Sequence, residues 1–253
     1  MKKLTATLLI IAATFGTGCK KIENLIWKDD SIAVSVISDG TDPLRKNPDA
    51  SDVINILRLN DDTHLYSGMT MRYRSISDVA LTPVQSLKVP PVSAALASDQ
   101  ERVQELKTFK QNLRQVFDDA QKNNMVPMKR SCIYSVVVSE ANACMEVSAA
   151  EHYMIIYSNM LDHDRHLDFY SQVLRDQVQA HPMEVIQSLR KVAALKNVTG
   201  LRVIIVYQSM NGDGDTEDKF LVAANFYKTL FENGGATCVI VPSLEAANLN
   251  EKK

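Results

Sequence analysis

A chain of 253 residues with 28 basic and 30 acidic side chains carries a formal charge of −2. That balance argues against a nucleic-acid partner, because neutralising phosphates needs a basic face. The length suits one α/β domain, or two small ones.

The chain opens with "MKKLTATLLIIAATFGTGC". Lys2 and Lys3 form a positive leader, and Leu4 to Ala13 is a mostly apolar run. The run is too short to span a hydrocarbon core of about 30 Å, but it suits a signal peptide. Small residues Gly16, Thr17 and Gly18 lead into Cys19, so the opening resembles a bacterial lipoprotein signal with Cys19 as the lipidated residue. Gly16 stands where such signals usually carry an aliphatic side chain. The division that follows is a signal peptide over 1–18, a membrane-proximal tether over 19–30, an α/β domain over 31–243 and a polar tail over 244–253. Lys20 and Lys21, with no aspartate beside Cys19, resemble the pattern of outer-membrane retention, and the expected address is the outer membrane, facing the periplasm. Acyl chains would tether the protein without inserting a protein segment. Beyond Cys19 there remain Cys132, Cys144 and Cys238, an odd number that gives no complete disulfide framework. On one helix, Cys132 and Cys144 would lie about 18 Å apart, beyond the roughly 7 Å limit of a bridge. All three are expected to be buried thiols.

Strand signals appear at Ile32–Ser38, Gly68–Ser77, Tyr153–Ser158, Leu201–Tyr207 and Thr237–Val241. "MIIY", "VIIVY" and "CVIV" are nearly continuous apolar runs, the mark of strands covered on both faces. The alternation in "MTMRYRSIS" predicts a strand nearer an edge. Between them, "DASDVINILRL" has Asp49 or Ser51 as its N-cap. The stretch from Ser98 to Asn123 places Val103, Leu106, Phe109, Leu113, Val116 and Phe117 at helical spacing. "CIYSVVVSEANACM" and "MEVIQSLRKVAAL" read as helices. "TEDKFLVAANFYKTLFENGG" has an acidic first turn and Gly234-Gly235 at its end, as the dipole and C-cap rules favour. Leu81 to Asp99, with its prolines, reads as an irregular connector. The alternation predicts a doubly wound, mostly parallel, Rossmann-like sheet flanked by helices, with one antiparallel edge strand.

Ligands of such sheets sit beyond the carboxyl ends of the strands. There the sequence offers "DGTDP" after the first strand, "NMLDHDRH" after the central one and "QSMNGDGDTED" after the next. These loops carry Asp39, Asp42, Asp162, Asp164, Asp213 and Asp215, oxygen donors suited to Mg²⁺ or Ca²⁺.

The order of elements, with "VISDGTDP", "RSCIYSVV", "MIIYSNML" and "NFYKTLFENGGA", resembles the von Willebrand factor A family over about residues 31 to 243, in a divergent bacterial form. The resemblance implies a metal-ion-dependent adhesion site with Asp39 as first aspartate, Thr41 as first hydroxyl and Ser131 near the family threonine. Asn159 replaces the second aspartate, and Pro43 stands where the second hydroxyl belongs. The site is thus expected to be degenerate, with Mg²⁺ the one cofactor it implies, held by Asp39, Thr41, Ser131 and Asn159. Asp42 and Asp162 are the carboxylates that could compensate.

Other constellations are weaker. "NGDGDTED" opens like a calcium loop, but Thr216 and Val222 occupy the glycine and glutamate positions. His163 and His166 read as members of a polar loop rather than as ligands. No nucleophile elbow, P-loop or zinc-protease motif occurs. The expected function is therefore a membrane-anchored protein-binding or scaffolding module, not an enzyme, engaging an unknown protein partner at the carboxyl edge of the sheet. A metal-assisted hydrolase and a periplasmic small-ligand-binding protein are the alternatives.

Overall fold

The computed structural model describes residues 30–41, 47–78, 82–123, 130–207 and 214–247. The leader with Cys19, most of the tether, Asp42, Pro43 and Asp213 lie outside the described residues. No described helix is long and apolar enough to cross a membrane.

Six strands form one sheet: β1 (Ile32–Asp39), β2 (Met69–Ile76), β3 (Val84–Val89), β4 (Glu151–Tyr157), β5 (Leu201–Val206) and β6 (Thr237–Val241). The order is β3-β2-β1-β4-β5-β6, parallel throughout except for the antiparallel β2–β3 pair. This is the doubly wound α/β architecture the apolar runs predict, with its topological switch point between β1 and β4.

Helices α1 (Ala50–Ile56) and α2 (Asp99–Asn123) cover one face, and α3 (Ile133–Met145), α4 (Gln172–Ala180), α5 (Pro182–Leu189) and α6 (Gly214–Asn233) cover the other. Side chains alternate along each strand. Val34 and Val36 accordingly join α1 and α2 in one core, while Ala33 and Ile37 join α3 to α6 in the second. Each fully buried Val, Leu or Ile contributes about 1.5–3 kcal/mol. Asp49 caps α1, its carboxylate accepting from Ser51 N at 2.8 Å. At the end of α6, Gly235 adopts φ 93°. Ala236 N donates to Phe231 O and Gly235 N to Glu232 O, a Schellman closure.

Three sequence expectations are corrected. The connector Leu81–Asp99 contains β3, and β3 rather than Gly68–Ser77 is the edge strand on that side of the sheet, with β6 at the other edge. β2 alternates because its arginines turn in to partners on α3, with Arg74 buried and Arg72 half-buried, and not because the strand lies at an edge. Glu140 on α3 is 1% exposed, accepts from Arg72 Nε at 2.5 Å and Ser35 Oγ at 3.0 Å, and lies 3.9 Å from Arg74. β3 escapes notice because most of its residues face solvent. Helix α4 likewise leaves little hydrophobic signal in the sequence, since it buries only Val178. The three described thiols are free of disulfides, and burial pushes Cys144 up to about 11 and Cys238 up to about 12. Cys132, expected to be buried, is half-buried.

Candidate functional site

Register brings the strand ends together. Asp39 is paired with Ile76, and Ser38 with Tyr157; Tyr157 is paired with Val206. The turns after β1, β4 and β5 therefore leave from one edge, and those after β1 and β4 flank the switch point, where a doubly wound sheet opens a crevice.

Asp39 is wholly buried there. Its Oδ1 accepts from Thr41 N at 2.9 Å and from Thr41 Oγ1 at 2.6 Å. Its Oδ2 accepts from Ser158 Oγ at 2.6 Å, across the switch point. Ser158 Oγ in turn accepts from Met160 N at 2.8 Å, and Met160 takes a left-handed backbone at φ 58°. That conformation is uncommon for a non-glycine residue and costs on the order of 1 kcal/mol or more, so the turn is held by its surroundings.

Asn159 reaches the same turn, but its Oδ1 accepts from Leu161 N at 2.9 Å. Ser131 is brought to the rim by paired backbone bonds with His163 and by Cys132 N donating to Ser77 O, one residue past the strand position opposite Asp39. The Ser131 hydroxyl is buried and finds no hydrogen-bond partner among the described residues. Of the four expected ligands, Asp39 and Thr41 touch, while Asn159 and Ser131 share the edge without joining that cluster.

Asp162 has a different occupation. It is wholly buried, and its carboxylate accepts from Ile133 N at 2.9 Å and Tyr134 N at 2.7 Å, the open amides at the start of α3. Tyr227 of α6 donates its hydroxyl to the same group. Desolvation pushes the Asp162 carboxyl well above its ordinary value, while Tyr227 and the two amides oppose that rise. Asp164 is tied into its own turn by His166 N and Leu167 N, and His163 Nδ1 lies 3.0 Å from Asp168.

Among the described residues this donor set does not offer an open cluster of ligands for a divalent ion. Divalent oxygen sites are built from several carboxylate, carbonyl and water ligands. Here the Asp39 oxygens are taken by hydroxyls, the Asn159 amide oxygen by Leu161, and Asp162 by a helix end. Among the described residues no group of three His, Cys, Asp or Glu side chains is placed to hold a metal. Ser158, which sequence reasoning passed over, is the residue that closes the cluster. Its signal was a hydroxyl at the last strand position, one before Asn159.

The class these features define is an α/β protein with a mostly parallel, Rossmann-like sheet and a polar cluster at its switch point. No protein-family model matches the chain, and no curated protein matches it.

Proposed function

We propose that the protein is a membrane-anchored lipoprotein whose α/β domain is a von Willebrand A-like protein-binding module with a degenerate metal site. The observation that carries this reading is the hydrogen-bonded set Asp39, Thr41 and Ser158 at the β1–β4 switch point. The family's adhesion site begins at that place in the fold, and here hydroxyls occupy the carboxylate that a metal would take. A partner then meets a preformed polar lip rather than an ion. The anchor is Cys19, and the address is the outer membrane, facing the periplasm. The reading is non-enzymatic: Asp39 and Asp162, the two buried carboxylates of the rim, serve turns and a helix end rather than a reacting group.

Photo-crosslinking from Thr41 in living cells tests the module. A protein adduct formed from Thr41, and absent with the same probe at exposed Val173 of α4, is the expected result. Equal adducts from both positions would remove the rim as a docking face. For the metal, titration calorimetry with Mg²⁺, Mn²⁺ and Ca²⁺ should give the same heats for wild type and Asp39→Ala. A saturable heat seen only in wild type would restore the ion. Palmitate labelling lost in Cys19→Ser tests the anchor.

One observation favours a second reading, that of a small-ligand carrier. A groove of about 620 Å³ between α4 and α6 is lined by Gln172, Arg175, Lys219 and Asn225, and its size is that of ligand pockets. A small molecule retained in native mass spectrometry would favour it.

A further inference from the structure

The end of the sheet opposite the rim carries an apolar groove of about 630 Å³. Leu87, Val89 and Pro90 of the edge-strand region form one side and Phe109 of α2 the floor, with Gln104 and Thr108 along the opposite wall. Because β3 runs antiparallel, its last residue Val89 pairs with Met69, the first residue of β2. The groove is thus set toward the end where the parallel strands begin.

The chain enters the domain at this same end. Ile32 N donates to Gly68 O. A Cβ on Gly68 would lie 2.6 Å from Ser31 Oγ and 2.8 Å from Pro91 Cδ, so these two residues crowd the same glycine. Pro91 adjoins Pro90 of the groove. The helical wall is fixed to this base by Arg102, 1% exposed, which donates to Leu65 O at 2.7 Å and Ser67 O at 2.6 Å.

The residues immediately upstream are "KKIENLIWKD", Lys20 to Asp29. Ile22, Leu25 and Ile26 stand at helical spacing beside Trp27, an apolar set with no apolar continuation after it until Ile32. An extended chain covers about 3.3–3.6 Å per residue, so Trp27 reaches roughly 10 Å from Asp30 and Ile22 more than twice as far. The upstream stretch carries Lys20, Lys21 and Lys28, and the groove carries Glu101 and Glu105, although Lys88 also lines it and Glu105 already meets Arg102.

We propose that Ile22–Trp27 is the occupant of this groove, so that the tether packs back on its own domain. The inference stands whether or not Cys19 is lipidated. Where the anchor is present, docking holds the base of the sheet toward the bilayer and turns the Asp39 rim away from it, about 26 Å off across an eight-residue strand.

Trp27 is the only tryptophan, so its fluorescence reads the docking directly. The full chain is purified in dodecyl maltoside, and Trp27 emission and acrylamide quenching are compared with those of the urea-unfolded chain. The expected result is blue-shifted emission and a quenching constant severalfold lower. Thr108→Arg or Gln104→Arg, both exposed wall positions, should bring both readings to the unfolded values while far-UV circular dichroism stays that of wild type. Val173→Arg, on the other face, should change neither. Unchanged emission in both wall variants would overturn the proposal, as would strong quenching of Trp27 by brominated acyl chains in phosphatidylcholine vesicles, which places the segment in lipid. Emission that shifts with protein concentration would assign the groove to a second copy and overturn it too.

Discussion

Asp39 and Asp162 are both wholly buried carboxylates at the same edge of the sheet, and they are held by opposite means. Asp39 is met by rotatable hydroxyls, those of Thr41 and Ser158, and by one amide of its own turn. Asp162 is met by two amides fixed in a helix end and by a phenol from a second helix. Hydroxyls can turn to another acceptor when a ligand arrives; helix amides cannot. The carboxylate that the sequence offers only as a compensating ligand, Asp162 after the central strand, is therefore the architectural one. The one fenced by side chains retains the capacity to respond.

The sharpest way to break this contrast is to remove each carboxylate. Asp162→Ala orphans two buried amides and the Tyr227 hydroxyl, each costing about 1–3 kcal/mol, so a loss of about 4 kcal/mol or more is expected in urea unfolding. Asp39→Ala should cost less, about 1–2 kcal/mol, because its donors can rotate. Equal losses would erase the distinction.

Titration sharpens it further. Burial raises the folded-state value of Asp162, whereas the unfolded value is about 3.9. The native state then keeps a proton that the unfolded chain releases, so this contribution is full below about pH 4 and is lost as pH rises through the folded value. Stability of wild type measured against Asp162→Asn should fall with rising pH from about 4 upward. A difference that grows with pH would mean the amides, not desolvation, dominate.

The smallest expected effect is at Ser131. Its buried hydroxyl has no partner among the described residues, so Ser131→Ala should change stability by no more than about 0.5 kcal/mol, or raise it. A loss well above that in the same urea assay would show that the hydroxyl has a role at the rim.

Much of the architecture is legible in the sequence because burial on two faces leaves a direct trace. "MIIY" and "VIIVY" become the interior strands β4 and β5, and Gly234-Gly235 marks the end of α6. "CVIV" becomes β6, but at the far edge of the sheet with Val239 exposed, so its apolar run is not matched by burial on both faces. Asp39 with Thr41 is equally readable, since the contact spans two residues. What stays hidden is long-range. Glu140 lies 68 residues from Arg72, and that pair makes an interior strand look like an edge. Asp162 lies 29 residues from Ile133, so nothing local shows that it closes a helix end instead of facing a ligand. β3, held mainly by its backbone pairing with β2, leaves almost no hydrophobic trace.

The anchoring of Asp162 reaches beyond stability. It fastens the lip beside the switch point to two helices of the interior, so that lip has little shape left to lose on contact. A visiting surface would meet it as a rigid body, its selectivity set by fit and not by ordering of the loop. Loosening the Tyr227 clasp should then slow capture or broaden the range of accepted partners while Asp39 itself stays untouched.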